Sequence, residues 1–455
     1  MTARFRSAVA PLYLFSCLVL GGSAQGMWGL MVLQLGGLAI IAWAVLAPGE
    51  QPLAAPARQL LLLSLCAVAY IAVQLVPLPP AIWSGLGGRG QLFSDYRLLG
   101  VAEPWLPISL APAQTLDALL KLIPPLAILC ALLSLKAYRP VWMTLALLAG
   151  TFAGILLGAL QVSTAGSTTA PWYLYAETNR GVAVGFFANA NHMATLLLIS
   201  VPLLAALVRA ATNKNLQRYS AFAALAGGAA LVLLVGIGLN GSLAAYALLL
   251  PVLAGAVLIL VAGFGRGKLW VLGAMLLLMC AGAAVIGSGA APFQQQIQRD
   301  ATVSVDTRAE MFATTMKAAA DVLPFGAGFG TFRDVYHLYE DPAAVTNTYV
   351  VHAHDDYAEL LLELGLPGLA LIVAFLLWWV LAVWRVWRSA EAGPFVRAAT
   401  IGSAIILVHS SVDFPLRTAA IAACMAMFTG LLADRRAPPV AEATDLRPTR
   451  HFVFA

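Results

Sequence analysis

A chain of 455 residues that is 61% hydrophobic and only 10% charged, with a mean hydropathy of +0.86, lies far outside the composition of a soluble domain. It reads as a polytopic membrane protein. The formal charge of +5 follows from lysine and arginine gathering on one side of a membrane, so it gives no reason to invoke nucleic acid.

Apolar runs of spanning length lie near residues 9–25, 28–47, 59–78, 117–135, 141–162, 191–209, 219–238, 242–264, 269–288, 360–382, 398–413 and 418–433. The expectation is an all-α membrane domain of about 12 transmembrane helices over residues 1–455. Arg4 and Arg6 precede the first run as they would in a signal peptide, but nothing secreted follows, and an uncleaved first span is expected. Arg58, Lys136, Arg139, Arg209, Lys214, Arg266, Arg385 and Arg397 fall in alternate short connections, which places both termini in the cytoplasm. Cys17, Cys66, Cys130, Cys280 and Cys424 sit inside apolar runs without CxxC spacing and read as small core hydrophobes. The polar tail 437–455, with Pro438, Pro439 and Pro448, reads as a disordered cytoplasmic end.

Ionisable residues mark the other side. Asn189-Ala190-Asn191-His192 opens the sixth run and suits sugar or phosphate contacts, with capping of that helix as an equal alternative. Residues 289–359 form an extracytoplasmic loop too long for a simple connection. Within it, Thr307-Arg308-Ala309-Glu310 fits a capping box and predicts an amphipathic helix over 308–322 that stops before Pro324. Arg308 in the first turn of such a helix would attract a phosphate, unless it pairs with Asp306 or Glu310. Gly326-Ala327-Gly328-Phe329-Gly330 lacks the strand and the Lys-Ser/Thr of a nucleotide loop, so it reads as a tight turn, with amides free to line an anion site as the alternative.

His352-Ala353-His354-Asp355-Asp356 enters the tenth run with three open readings. These are metal ligation, for which further ligands are missing, capping by Asp355, and general base catalysis with Asp355 or Glu359 orienting an imidazole. His409 and Asp413 share a helix face, with Arg417 closing the same turn, which reads first as a polar clamp between the last two spans. Asp117 and Lys121 have the spacing of a local ion pair.

Taken in order, these segments resemble a known family over about residues 100–433. Gly185-Phe186-Phe187-Ala188-Asn189-Ala190-Asn191-His192-Met193-Ala194 is similar to its Asn-x-Asn-His signature. Thr307-Arg308 followed by Pro324 to Phe332 resembles its arginine helix and glycine turn. His352 to Tyr357 with Leu364-Gly365-Leu366-Pro367-Gly368 resembles its His-x-His motif, and His409 to Pro415 its closing motif. The chain is thus identified as a member of the O-antigen ligase and Wzy-type O-antigen polymerase superfamily of bacterial inner membranes.

That resemblance implies a GT-C-like helical glycosyltransferase with its active site at the periplasmic face of the inner membrane. The donor would be a glycan on undecaprenyl diphosphate, with no further cofactor and no metal, and the acceptor a glycan, lipid A core or protein. Membrane lipids, and a chain-length regulator or flippase, are the implied partners. His354 matches the family's catalytic histidine and Arg308 its phosphate-binding arginine; Asn189, Asn191, His192, His352 and Asp355 fall in the substrate-contacting motifs. Leu243 stands where the family has the arginine of a Ser-Arg-Gly, so Arg180, Arg333 or Arg417 is expected to take that role. Asp355 stands where asparagine is usual and would raise the basicity of His354 if the two bond. The alternative class is a transporter of small anions or glycans, which would keep charges or broken helices near the bilayer midplane.

Overall fold

The computed structural model describes residues 3–47, 52–212, 219–261, 294–342 and 349–434. These residues are helical, with no β-strand among them beyond an isolated pairing of Leu78 with Leu106. The helices are α1 (Ala3–Leu20), α2 (Met27–Leu46), α3 (Ala55–Val73), α4 (Pro80–Trp83), α5 (Gly90–Leu98), α6 (Pro112–Leu120), α7 (Ile123–Leu133) and α8 (Pro140–Ser163). After these come α9 (Ala190–Thr212), α10 (Tyr219–Asn240), α11 (Leu243–Leu260), α12 (Gln294–Val322), α13 (Phe332–Tyr336), α14 (Asp356–Arg388), α15 (Pro394–His409) and α16 (Ala419–Ala433).

Seven helical segments are long and apolar enough to cross a membrane, and α1, α10, α15 and α16 contribute shorter apolar helices. These eleven segments coincide with eleven of the twelve apolar runs. The remaining run, 269–288, and the tail 437–455 lie outside the described residues. The fourth run is a break rather than one rod: α6 ends near Lys121 and α7 restarts with Pro124 in its first turn, where a missing amide hydrogen is tolerated. The Asp117–Lys121 ion pair is present at 2.5 Å.

The main core forms where α9 packs among α8, α10, α11 and α15, with Leu196, Leu197, Leu198, Ile199 and Leu203 essentially buried. The helix α1 packs on α8 and α16, and α7 on α2 and α16, extending the same core. A second, smaller core joins the surface elements. Ala318, Ala319 and Val322 of α12 meet Phe332, Val335 and Tyr336 of α13, with Ala353 and Leu362 closing it.

Two expectations about this surface lobe are corrected. The helix bearing Arg308 starts at Gln294, not at Thr307, so Thr307-Arg308-Ala309-Glu310 lies inside α12 and caps nothing. The run Gln294 to Asp300 contains no glycine or proline and is rich in glutamine, a good helix former, so propensity carries the helix through the capping pattern. Arg308 therefore owes nothing to a helix N-terminus. The predicted stop before Pro324 is observed.

The helix α14 is broken at Gly365, whose φ of 58° and ψ of −149° fall outside helical geometry, two residues before Pro367. The carbonyls released there are taken by the glycine turn: Ala327 N donates to Leu362 O at 2.9 Å and Gly328 N to Glu363 O at 2.9 Å, while Leu366 N returns a bond to Pro324 O at 2.8 Å. A Cβ on Gly365 would lie 2.2 Å from Pro324 O, and one on Gly326 2.5 Å from Glu363 O, so both backbones require glycine to approach this closely. Gln74, fully buried at the end of α3, locks the same junction: its Nε2 donates to Glu363 O at 3.0 Å and its Oε1 accepts from Phe329 N at 3.0 Å.

Candidate active site

Asp413 is the centre around which the ionisable residues collect. The carboxylate is completely buried between α15 and α16, yet four side chains from three other regions of the chain reach it. Arg308 Nη2 of α12 lies 3.8 Å from Oδ2, His354 Nδ1 3.6 Å from Oδ1 and His192 Nε2 3.7 Å from Oδ1. Asn191 at the start of α9 donates its Nδ2–H to Oδ2. Phe414 N donates to Oδ1 at 2.8 Å and fixes the rotamer. Burial alone would raise the carboxyl, but the His192 and His354 imidazoles beside it hold it well below the usual carboxylate range. Asp413 is therefore an anion around which Arg308 and two imidazoles gather.

The Phe414 ring is the floor. Its centroid lies 4.9 Å from that of His192, 4.2 Å from that of His352 and 4.9 Å from that of His354, so one aromatic side chain spaces three imidazoles. Their orientations differ. His352 donates Nδ1–H to Glu359 Oε1 at 2.8 Å, and Glu359 Oε2 also accepts from Ala353 N at 2.9 Å. A carboxylate can only accept, so this bond leaves the lone pair of a neutral His352 ring on Nε2. His354 sits at a φ of 53°, a left-handed conformation uncommon outside glycine and a known reservoir of strain at functional sites. His192 is buried, whereas about a quarter of the His352 (27%) and His354 (28%) side chains and 31% of that of Arg308 remain accessible.

Arg417, expected as a substrate-binding cation, is engaged elsewhere. Its guanidinium lies 3.4 Å from Asp356 Oδ1, 3.3 Å from Glu359 Oε1 and 2.9 Å from Glu363 Oε2, all three carboxylates being essentially buried. It also stacks over Phe329, 5.3 Å from the centroid. These contacts make Arg417 a brace joining the turn before α16 to the first two turns of α14. Because Glu359 is shared, the brace also sets the carboxylate that holds His352.

The other sequence candidates divide plainly. Asn191 reaches the centre and also accepts from Ser242 Oγ at 2.7 Å, tying the start of α9 to the cap of α11. Asn189 stays local, its Oδ1 accepting from Asn191 N at 2.8 Å, as the capping alternative had it. Asp355 does not bond His354. It caps α14 by accepting from Tyr357 N at 2.9 Å and Ala358 N at 3.0 Å, and the carboxylate beside His354 is instead that of Asp413. Arg180 lies over Tyr173 and donates to Ser167 O at 3.2 Å, and Arg333 pairs with Asp334 at 3.8 Å; neither touches the cluster. The amides of Gly326, Ala327, Gly328 and Phe329 are all spent on protein acceptors, so the glycine turn offers no anion nest from them. No group of three or more His, Cys, Asp or Glu able to hold a metal occurs among the described residues.

Sequence reading missed the centrality of Asp413 and the Phe414 floor, whereas Glu359 does orient an imidazole as one of the two expected carboxylates, the ring being that of His352. The signal lay in Asp413-Phe414-Pro415 itself: a carboxylate, an aromatic ring and a helix breaker between two apolar helices are costly to bury without use. The arrangement brings one guanidinium and two partly exposed imidazoles to one mouth of the bundle, where they can stabilise a leaving anion and accept a proton.

Residues 228–373 match the model of a family described as O-antigen ligase. No curated protein matches the chain.

Proposed function

We propose that this chain, whose residues 228–373 match the O-antigen ligase family, is a membrane glycosyltransferase of the O-antigen ligase and Wzy-type superfamily that moves a glycan from undecaprenyl diphosphate to an acceptor hydroxyl, as a ligase or a polymerase. The carrying observation is the convergence of Arg308, His354, His192 and Asn191 on buried Asp413 at one end of the bundle. The acceptor oxygen attacks the anomeric carbon, the bond from that carbon to the diphosphate oxygen breaks, and the diphosphate departs with the electron pair. His354 takes the hydroxyl proton and Arg308 offsets charge developing on the diphosphate. At 3.8 Å from Asp413, Arg308 is loosely held and can turn its remaining N–H groups toward a phosphate. His192, His354 and Asp413 stand at the ends of apolar helices, and Arg308 stands on the polar helix α12, none of them midway along a span, which favours chemistry at the membrane face over carriage through it.

The test is Arg308→Lys. It keeps the charge but loses the planar fork, so glycan transfer from a lipid-linked donor is expected to fall while membrane expression stays normal. Full activity would remove Arg308 from the diphosphate site. Transfer by purified enzyme is expected to persist in EDTA; loss of activity restored by one divalent ion would show that a metal takes part.

We further propose that the site faces the periplasm and both termini the cytoplasm of the inner membrane, from the basic residues Arg385, Arg388 and Arg397 that flank the connection opposite the site. Reporter fusions after Asp300 and after Gly393 are expected to read periplasm and cytoplasm respectively. The opposite reading at either point inverts the orientation.

A further inference from the structure

His337 lies in the turn after α13 and touches none of the groups around Asp413, yet it holds the segment that leads to them. Its Nδ1 is 2.7 Å from Glu340 Oε2 and its Nε2 is 3.2 Å from the carbonyl of Val350, two residues before His352. A carboxylate and a carbonyl both accept only, so each bond needs an N–H from the ring, and a neutral imidazole carries just one. Both bonds together require the imidazolium. The surroundings suit a cation: the Tyr349 ring lies over the imidazole with centroids 4.1 Å apart, and Tyr336 of α13 meets it edge-on at 5.6 Å. Among the charged neighbours, Glu340 faces the ring from its own turn. Arg333 and Asp334, earlier in α13, pair with each other, and Glu310 of α12 acts on Tyr336. The side chains of His337 and Glu340 are only 22% and 16% exposed, so water replaces a lost partner poorly.

We propose that His337 is a positioning residue, an imidazolium latch that fastens the segment carrying His352 and His354 to the turn after α13 and releases it as pH rises. In acid the ring carries both protons and both bonds stand. When it loses one proton, either Glu340 or Val350 O faces a lone pair, and the segment loses an anchor. The inference takes this segment as part of the transfer site, and so rests on the function proposed above.

The test uses the full chain in nanodiscs, with amide hydrogen exchange over residues 350–354 followed from about pH 5 to about pH 8, the range over which histidine changes charge, after correction for intrinsic exchange. Wild type is expected to lose protection roughly tenfold or more toward high pH, the scale of one charged hydrogen bond. His337→Gln does not titrate between these pH values, so its step is expected to vanish. Glu340→Gln can donate to Nδ1, so a neutral ring keeps its bond to Val350, and protection is expected to persist at high pH. Imidazole nitrogen shifts, assigned by loss in His337→Gln, should show both His337 nitrogens protonated at the acid end. A singly protonated ring there, an unchanged step in His337→Gln, or loosening of Glu340→Gln as in wild type would overturn the latch. None of these readouts needs turnover. A pH step without detectable transfer would sink the proposed function alone, and transfer without the step would sink the latch alone.

Discussion

His354→Ala is expected to lower glycan transfer by roughly 10² to 10⁴, the scale of losing a general base, while binding of the lipid-linked donor persists. A base must stand within hydrogen-bond reach of the acceptor hydroxyl, and close enough to the cation on the leaving group for both to engage one sugar. His354 and Arg308 share Asp413, at 3.6 and 3.8 Å, which puts base and cation on the two sides of one carboxylate. His352 stands two residues further into the loop, a position that by sequence alone would make it the looser ring, but its 2.8 Å bond to Glu359 and its packing on Phe414 hold it in place. What distinguishes His354 is instead its strained backbone and its place beside Asp413. His352→Ala is expected to cost much less. Abolished transfer in His352→Ala with transfer kept in His354→Ala would move the base to the Glu359–His352 pair, and equal tolerance of both changes would remove acid-base catalysis by this motif.

The second large effect is on folding. Arg417→Ala leaves Asp356, Glu359 and Glu363 buried without their shared cation, and removing one partner of a buried ionic group costs about 3–5 kcal/mol. That is a large fraction of the stability of an ordinary domain. The variant is expected to lose folded protein in the membrane and to melt well below wild type in detergent. Burial alone would weaken the hold of Arg417 on its proton, but the three carboxylates more than reverse this and keep it charged. A lysine at 417 presents one compact ammonium in place of a fork, so Arg417→Lys is expected to be intermediate in stability. If Arg417→Ala instead melts like wild type and only the KM for donor rises, Arg417 belongs to the substrate after all.

The apolar helices were legible because a bilayer demands long apolar runs; eleven of the twelve runs are helical here, seven of them long enough to cross. The site was legible as a set of residue types at one face: Asn191, His192, Arg308, His354 and Asp413 all carry sequence signals and meet in space. Partnership was not legible, because it depends on how helices far apart in the chain are packed. Asp355 is next to His354 in sequence, but its rotamer is spent on the amides of Tyr357 and Ala358, while Asp413, 59 positions beyond His354, lies beside the imidazole. The capping box failed for a local reason, since nothing upstream of Thr307 stops the helix. Arg417 looked available because the three carboxylates that hold it lie more than fifty residues earlier.

The break at Gly365 separates α14 into two mechanical parts. Residues 356–364 are tied to the glycine turn and to Gln74 through the carbonyls of Leu362 and Glu363, whereas residues 366–388 carry the long apolar stretch of the helix. A bilayer that thickens or thins tilts the long lipid-embedded rod, and the joint at Gly365 lets that tilt change without rotating Glu359 or Asp356. The mouth around Asp413 can therefore keep one geometry in membranes of different thickness.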